Sequence, residues 1–243
     1  MSEDAGDLSG GAIDLRSFER IVFFTGAGLS VESGIPTYRG KDGVWRKYNY
    51  EDYACQRAFD RDPDKVWEFH EARRAAAADC LPNAAHEIIA AIQAARADTD
   101  IVTQNIDGLH QRAGATRVME LHGSLWRLRV DALGVSEENF EVPLRSRRHS
   151  SGAYWRPDIV WFEDPLPLEL LEAAVERIAA CDCLVSVGTS ALVYPAAQLP
   201  LIALENGATL IEINPEDTPL SRFYSHHLRG PATEMMRRLW PEA

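Results

Sequence analysis

The chain has 243 residues, with 25 Lys and Arg against 37 Asp and Glu, a formal net charge of −12. Hydrophobic residues make up 46% and charged residues 26%, the proportions of a globular protein able to bury a sizeable core without staples. The acidic balance argues against a nucleic-acid binder, whose phosphate contacts need clustered Lys and Arg, and leaves basic peptides as attractive partners.

No apolar run approaches the roughly 20 residues that a membrane span needs. Residues 1–13 are acidic and glycine-rich and lack the basic-then-apolar order of a secretory signal. Cys55, Cys80, Cys181 and Cys183 form neither a CxxC pair nor a disulfide framework, a usage that points to a reducing, cytoplasmic setting. Residues 1–16 read as a flexible tail, with the folded domain over 17–243.

Ile21-Val22-Phe23-Phe24 predicts a buried parallel strand running into a glycine turn at Gly26-Ala27-Gly28. Gly34 and Pro36 interrupt the next segment, so no clean helix is expected over 30–36. Residues 41–81 carry aromatic and charged helical text, and Pro82-Asn83 opens a helix over 84–96. A strand over 101–103 runs into Gln104-Asn105-Ile106-Asp107-Gly108. Residues 124–156 read as irregular, with an exposed basic loop at 145–152. Then come a helix over 168–180, a strand over 184–187 ending in Gly188-Thr189-Ser190, a helix over 196–206 and a strand over 209–213. The last strand ends in Asn214-Pro215-Glu216.

Strand, glycine-containing loop and helix recur at least four times, which predicts an α/β fold with a Rossmann-like, doubly wound parallel sheet. Its ligand crevice lies beyond the carboxyl ends of the strands, where 26–28, 104–107, 188–190 and 214–216 meet. Residues 41–81 and 125–156 break the rhythm and are expected to build a small inserted lobe. The large domain is then about 17–40, 82–124 and 157–243.

Taken singly, the motifs have two readings each. Gly26-Ala27-Gly28 lets backbone approach a pyrophosphate, but Val31 replaces the third glycine of a full dinucleotide fingerprint. A plain tight turn fits as well, and a hydride-transferring enzyme is disfavoured. Gln104, Asn105 and Asp107 suit either a carboxamide and ribose hydroxyls or ordinary Asx-turn chemistry. His122 suits proton abstraction from a hydroxyl, or a structural role.

Taken together and in order, residues 26–40 (GAGLSVESGIPTYRG), 103–114 (TQNIDGLHQRAG), 120–123 (ELHG), 156–162 (RPDIVWF), 187–190 (VGTS) and 212–215 (EINP) resemble the signature segments of the sirtuins. These are NAD-dependent protein lysine deacylases, and the match runs over residues 21 to about 236. The resemblance implies a Rossmann-like large domain with a small lobe, NAD as co-substrate, and acylated lysine peptides or proteins as partners. No nucleic acid or membrane is expected among them.

By resemblance, Gly26, Ala27 and Gly28 hold the NAD phosphates, and Pro36, Tyr38 and Arg39 close over the nicotinamide ribose, with Trp45 beside them. Asn105, Ile106 and Asp107 form the nicotinamide pocket, with Gln104 near the ribose. Gly188, Thr189, Ser190, Asn214, Pro215, Glu216 and Ala232 line the adenosine half. His122 is the implied general base, with Asn105 and Asp107 as further catalytic residues. The implied reaction starts when the acyl oxygen displaces nicotinamide from the ribose. His122 then deprotonates a ribose hydroxyl that attacks the resulting imidate, and water completes the release of free lysine and O-acyl-ADP-ribose. The peptide is expected as an added strand between Val160-Trp161-Phe162 and the loop after Ser190. The alternative for the same pocket is an NAD-cleaving ADP-ribosyltransferase or NAD glycohydrolase.

The chain departs from the family at three places. Where most sirtuins hold structural zinc with two cysteine pairs, Val130, Leu133, Ser146 and His149 stand, so no zinc is expected. Where the desuccinylating and demalonylating branch carries Tyr-x-x-Arg, His70 and Arg73 stand, and Arg73 is either a reader of a distal carboxylate or a solvated helix residue. Tyr38 replaces the usual phenylalanine, and Glu163 replaces the glycine customary after Phe162, which bears on how the peptide-clamping loop closes.

Overall fold

The computed structural model describes residues 13–38 and 43–241, so Arg39 and most of the expected tail lie outside the described residues. Nine strands run in chain order: β1 (Ile21–Thr25), β2 (Thr99–Thr103), β3 (Val118–Glu120), β4 (Gly123–Val130), β5 (Val135–Glu138), β6 (Arg156–Ile159), β7 (Cys183–Val187), β8 (Thr209–Ile213) and β9 (His226–Leu228). The helices are α1 (Tyr50–Tyr53), α2 (Gln56–Arg61), α3 (Pro63–Asp79), α4 (Ala84–Ala95), α5 (Leu109–Arg112), α6 (Leu168–Ala180), α7 (Leu199–Glu205) and α8 (Ala232–Leu239).

Six strands form one parallel sheet in the order β3-β2-β1-β7-β8-β9. β1 is central, with Thr25 level with Thr103 on one side and Val187 on the other. Every residue of β1 and β7 is buried, because helices cover both faces, which explains why their text is apolar but for Thr25 and Ser186. One face packs on α4 and α8 through Phe23, Ile89 and Met236, the other on α6 and α7 through Phe24, Ile178 and Leu199. The carboxyl ends of β1, β2, β7 and β8 finish in register. The loops beyond them therefore share one edge.

Residues 124–156, expected to be irregular, contribute instead to an antiparallel three-stranded sheet in the order β5-β4-β6. β5 is exposed over 136–138, and Arg127 and Arg129 of β4 both pair with the partly exposed Asp158 of β6, so these strands lack the apolar text of the main sheet. α3 lies on this sheet. Trp67 packs with Leu128, Val130 and Trp155, and its Nε1–H donates to the Trp155 carbonyl at 2.6 Å. The Arg74 guanidinium, 1% exposed, donates to the carbonyls of Leu125, Asn139 and Glu141. The basic loop is tied down rather than free: Arg147 pairs with Glu71 at 2.6 Å and Asp64 at 3.0 Å.

The chain start also differs from the expected tail over its last residues. Leu15 is fully buried in the main core, Asp14 caps the turn Leu15–Ser17, and Arg16 lies 4.3 Å over the Trp240 ring.

Candidate functional site

The shared edge of the main sheet opens on a cleft of about 820 Å³. Gly26, Ala27, Gly28, Gln104, Asn105, Ile106, Gly188, Thr189, Ser190, Asn214, Pro215, Glu216 and Ala232 line it from the sheet side. Tyr38, Trp45, Arg73, His122, Val160, Trp161 and Phe162 line it opposite. Residues as far apart in the chain as Gly26 and Ala232 thus line one cavity.

The glycines allow two turns to touch backbone to backbone. A Cβ on Gly28 would stand 2.6 Å from the Gly188 Cα, and one on Gly188, whose φ is +63°, would stand 2.3 Å from the Leu29 nitrogen. The Gly26 and Gly28 N–H groups donate to the carbonyls of Val187 and Gly188, so these glycines hold the turns together rather than point donors into the cleft.

The loop after β2 is held by buried polar groups. The Asn105 amide donates to the Gly26 carbonyl at 3.0 Å and to the Ser30 hydroxyl at 3.2 Å. Ser30 in turn donates to the Asp107 carboxylate at 2.8 Å, and the Leu109 N–H donates to its other oxygen at 2.9 Å. Burial pushes the Asp107 carboxyl up, against the pull of the Leu109 and Ser30 bonds. Asp107 does not line the main cleft. It borders an adjoining cavity of about 80 Å³ with Pro36, Tyr38, Arg73 and Asn105. Ser30, which joins Asn105 to Asp107, lies in the signature segment 26–40, but its linking role is not legible there because its partners are 75 and 77 residues away.

Two histidines of the signature segments are separated by the fold. His110 is 2% exposed, bonds Thr25 Oγ1 through Nε2 at 2.9 Å, and is pushed down to about 3 by burial. His122 instead lines the cleft. Its Nδ1 lies 3.0 Å from the Gln104 carbonyl, which can only accept. Nδ1 therefore carries the proton, and Nε2 keeps a free lone pair. Burial lowers the pKa of this imidazole, partly opposed by the Gln104 bond, so it is neutral at neutral pH.

At the inner end of the cleft Arg73 donates to the Tyr38 hydroxyl and lies 4.9 Å over its ring. Trp45 bridges Tyr38, Phe69 and Phe162, with ring centroids 6.0, 5.9 and 5.5 Å away. His70, expected beside an acyl group, does not reach the cleft. It is fully buried behind Trp161, and its Nε2–H donates to the Tyr53 carbonyl at 3.1 Å.

The residues at the family's zinc positions do not fit a metal. Val130 is buried with Trp67, Leu128 and Trp155, and Leu133 is hydrocarbon. Ser146 donates to the Arg148 carbonyl, and His149 meets Ser151 and the edge of Trp155. Among the described residues no group of three or more His, Cys, Asp or Glu side chains could hold a metal ion.

Comparison with known proteins finds relatives over nearly the whole chain. The Sir2 family model matches residues 26–195. An "NAD-dependent protein deacylase" of Aquifex aeolicus is 41% identical over 223 residues, covering 90% of this chain and 93% of that protein. An "NAD-dependent protein deacylase 2" of Pyrobaculum aerophilum is 44% identical over 232 residues, covering 94% and 92%. Among solved structures, a mutant Sir2 homologue in complex with ADP-ribose superposes with a TM-score of 0.88 at 40% identity, covering 91% of this chain and 90% of that one. A Sir2 homologue bound to NAD gives 0.84 at 41% identity, covering 91% and 88%. The chain belongs to the Sir2 family.

Proposed function

We propose that this protein removes acyl groups from protein lysines with NAD as co-substrate, releasing nicotinamide and O-acyl-ADP-ribose. One observation carries the reading: His122 is neutral, has its Nδ1 proton fixed on Gln104, and lines the cleft with a free Nε2 lone pair. A binding module needs no such base. The names of the relatives support the same activity.

In this reading NAD extends along the sheet edge. Gly188, Thr189, Ser190, Asn214, Pro215, Glu216 and Ala232 receive the adenosine half, and Gly26, Ala27 and Gly28 the phosphates. Tyr38, Trp45 and Gln104 hold the nicotinamide ribose, joined by Pro36 from the adjoining cavity. Asn105, Ile106 and Asp107 receive the nicotinamide. Ser30 supports this role by fixing both polar side chains of that loop. His122 Nε2 takes the proton of a ribose hydroxyl, help worth roughly 10²–10⁴-fold in rate. The peptide adds as a strand beside Val160, Trp161 and Phe162, its backbone giving affinity whatever the neighbouring side chains. Sir2 structures with p53 peptides, at 28–29% identity to this chain, support a peptide as the substrate.

Arg73 faces the acyl end, and we assign it a distal carboxylate of a succinyl or malonyl group, with acetyl-lysine also accepted. We further propose that residues 41–81 and 125–156 act as the small lobe, folded without zinc, and that the protein works in the cytoplasm on peptides rather than nucleic acid or membrane. No helix among the described residues is long and apolar enough to cross a membrane.

The test is incubation of acetyl-, malonyl- and succinyl-lysine peptides with NAD, read by product mass. Deacylated peptide with equimolar nicotinamide and O-acyl-ADP-ribose supports the reading. ADP-ribose formed without loss of acyl peptide, or ADP-ribosylated protein, moves the assignment to the glycohydrolase or transferase alternative.

A further inference from the structure

Glu163 holds a backbone conformation that its side chain makes unfavourable. Its φ is +77°, in the left-handed region, and Glu163 and Ala191 are the non-glycine residues with positive φ among those described. The cause is a four-residue turn, Trp161-Phe162-Glu163-Asp164, closed by the Asp164 N–H donating to the Trp161 carbonyl at 3.1 Å. Glu163 is the third residue of this turn, where positive φ selects glycine. Glycine is also the residue customary there in the family, so this chain has placed a bulky acid where the backbone favours no side chain.

The turn is held from within by Asp164, whose carboxylate accepts from the Trp161 N–H at 3.2 Å and from Arg156, and the Glu163 side chain has a partner of its own outside the turn. The Arg57 guanidinium, from α2, grips the Glu163 carboxylate with both prongs, Nη2 to Oε1 at 2.5 Å and Nε to Oε2 at 3.2 Å. A bidentate fork is the one geometry in which an exposed ion pair fixes direction as well as distance. The same region of the chain also holds the preceding residue, the Phe162 N–H donating to the Ala54 carbonyl at 3.0 Å. Trp161 and Phe162, which line the cleft, belong to this turn.

We infer that Arg57 is a positioning residue for the acyl-peptide site, acting through Glu163 to hold the turn that carries Trp161 and Phe162. The inference rests on the deacylase reading for its consequence on substrate, but not for the latch itself. If the fork compensates for the left-handed backbone, Arg57 matters only while residue 163 has a side chain that disfavours positive φ.

A double-mutant cycle tests this. Wild type, Arg57→Ala, Glu163→Gly and the double variant are compared for KM of an acyl-lysine peptide, kcat and KM of NAD. In the wild-type background Arg57→Ala raises peptide KM about threefold, a fold-change in the range of an exposed bidentate pair, with kcat and KM of NAD unmoved. Arg57→Lys, which keeps charge but not the fork, restores little. In the Glu163→Gly background Arg57→Ala has no effect. Amide hydrogen exchange, measured without substrate, reads the latch independently of the reaction: Arg57→Ala speeds exchange at Asp164 in the wild-type background only. Equal effects of Arg57→Ala in both backgrounds, or none in either exchange or KM, overturn the inference. Absent deacylation with the exchange pattern intact overturns the proposed function and leaves the latch standing.

Discussion

The Tyr38 phenol accepts a hydrogen bond from the Arg73 guanidinium at the inner end of the cleft. Arg73's partners among the described residues are that hydroxyl and the ring faces of Tyr38 and Phe69. Burial raises the Tyr38 pKa, which keeps the phenol neutral. Held among the described residues by a hydroxyl and two ring faces, this cation in the cleft wall suits a substrate carboxylate.

Arg73→Met is therefore expected to lower kcat/KM for a succinyl-lysine peptide about tenfold or more beyond its effect on an acetyl-lysine peptide, the scale of a lost charge-assisted hydrogen bond. Tyr38→Phe removes the competing acceptor and should raise the succinyl-to-acetyl ratio. Initial rates on both peptides decide it, and equal losses on both acyl groups would remove Arg73 from acyl recognition.

His122→Ala should lose roughly 10²–10⁴-fold in kcat/KM while calorimetry shows NAD binding retained. The pH profile has a definite sign. Burial lowers the folded pKa of His122 below its ordinary 6.5, so the basic form persists at neutral pH and is lost only as pH falls through a lower value. The rate should stay level through pH 7 and drop on an acid limb below about 6.5. An acid limb centred above that value would contradict a buried, neutral base.

Gly188→Ala puts a Cβ at φ +63° and 2.3 Å from the Leu29 nitrogen. The strain is about 1–3 kcal/mol, or a fall in Tm of roughly 3–10 °C, with weaker NAD binding as the two turns part. A thermal midpoint within a degree of wild type would show that the turns are looser than the structure has them.

Much of the main sheet is legible in the sequence because strands buried on both faces must be mostly apolar, as 21–24 and, apart from Ser186, 184–187 are. Strands β4 to β6 are not. Their outward Arg127, Arg129 and Asp158 pair with each other, and Pro157 sits within β6, so the text resembles a loop. The site divides in the same way. Asn105, Asp107 and His122 stand out as chemistry-bearing residues, but spacing cannot separate His122 from the buried His110. Ser30 and Arg57 act through contacts made only after folding, with partners 75 to 106 residues distant. Analogy of position puts His70 at the substrate, whereas its packing behind Trp161 emerges only from the fold.

The three-stranded sheet gives a prediction about metal. Elemental analysis of purified protein should find zinc far below one atom per chain, and a chelator should leave the thermal midpoint unchanged. Arg74→Leu, which removes the donor to three lobe carbonyls, should lower that midpoint instead. Stoichiometric zinc would mean that residues other than Val130, Leu133, Ser146 and His149 bind it.

The most direct measurement is a crystal structure with NAD and an acyl-lysine peptide bound together. The account predicts His122 Nε2 within hydrogen-bond reach, about 3.2 Å or less, of a hydroxyl on the ribose that bears nicotinamide, with Nδ1 still on the Gln104 carbonyl. An imidazole turned to bulk solvent, or a sugar lying elsewhere in the cleft, would contradict it.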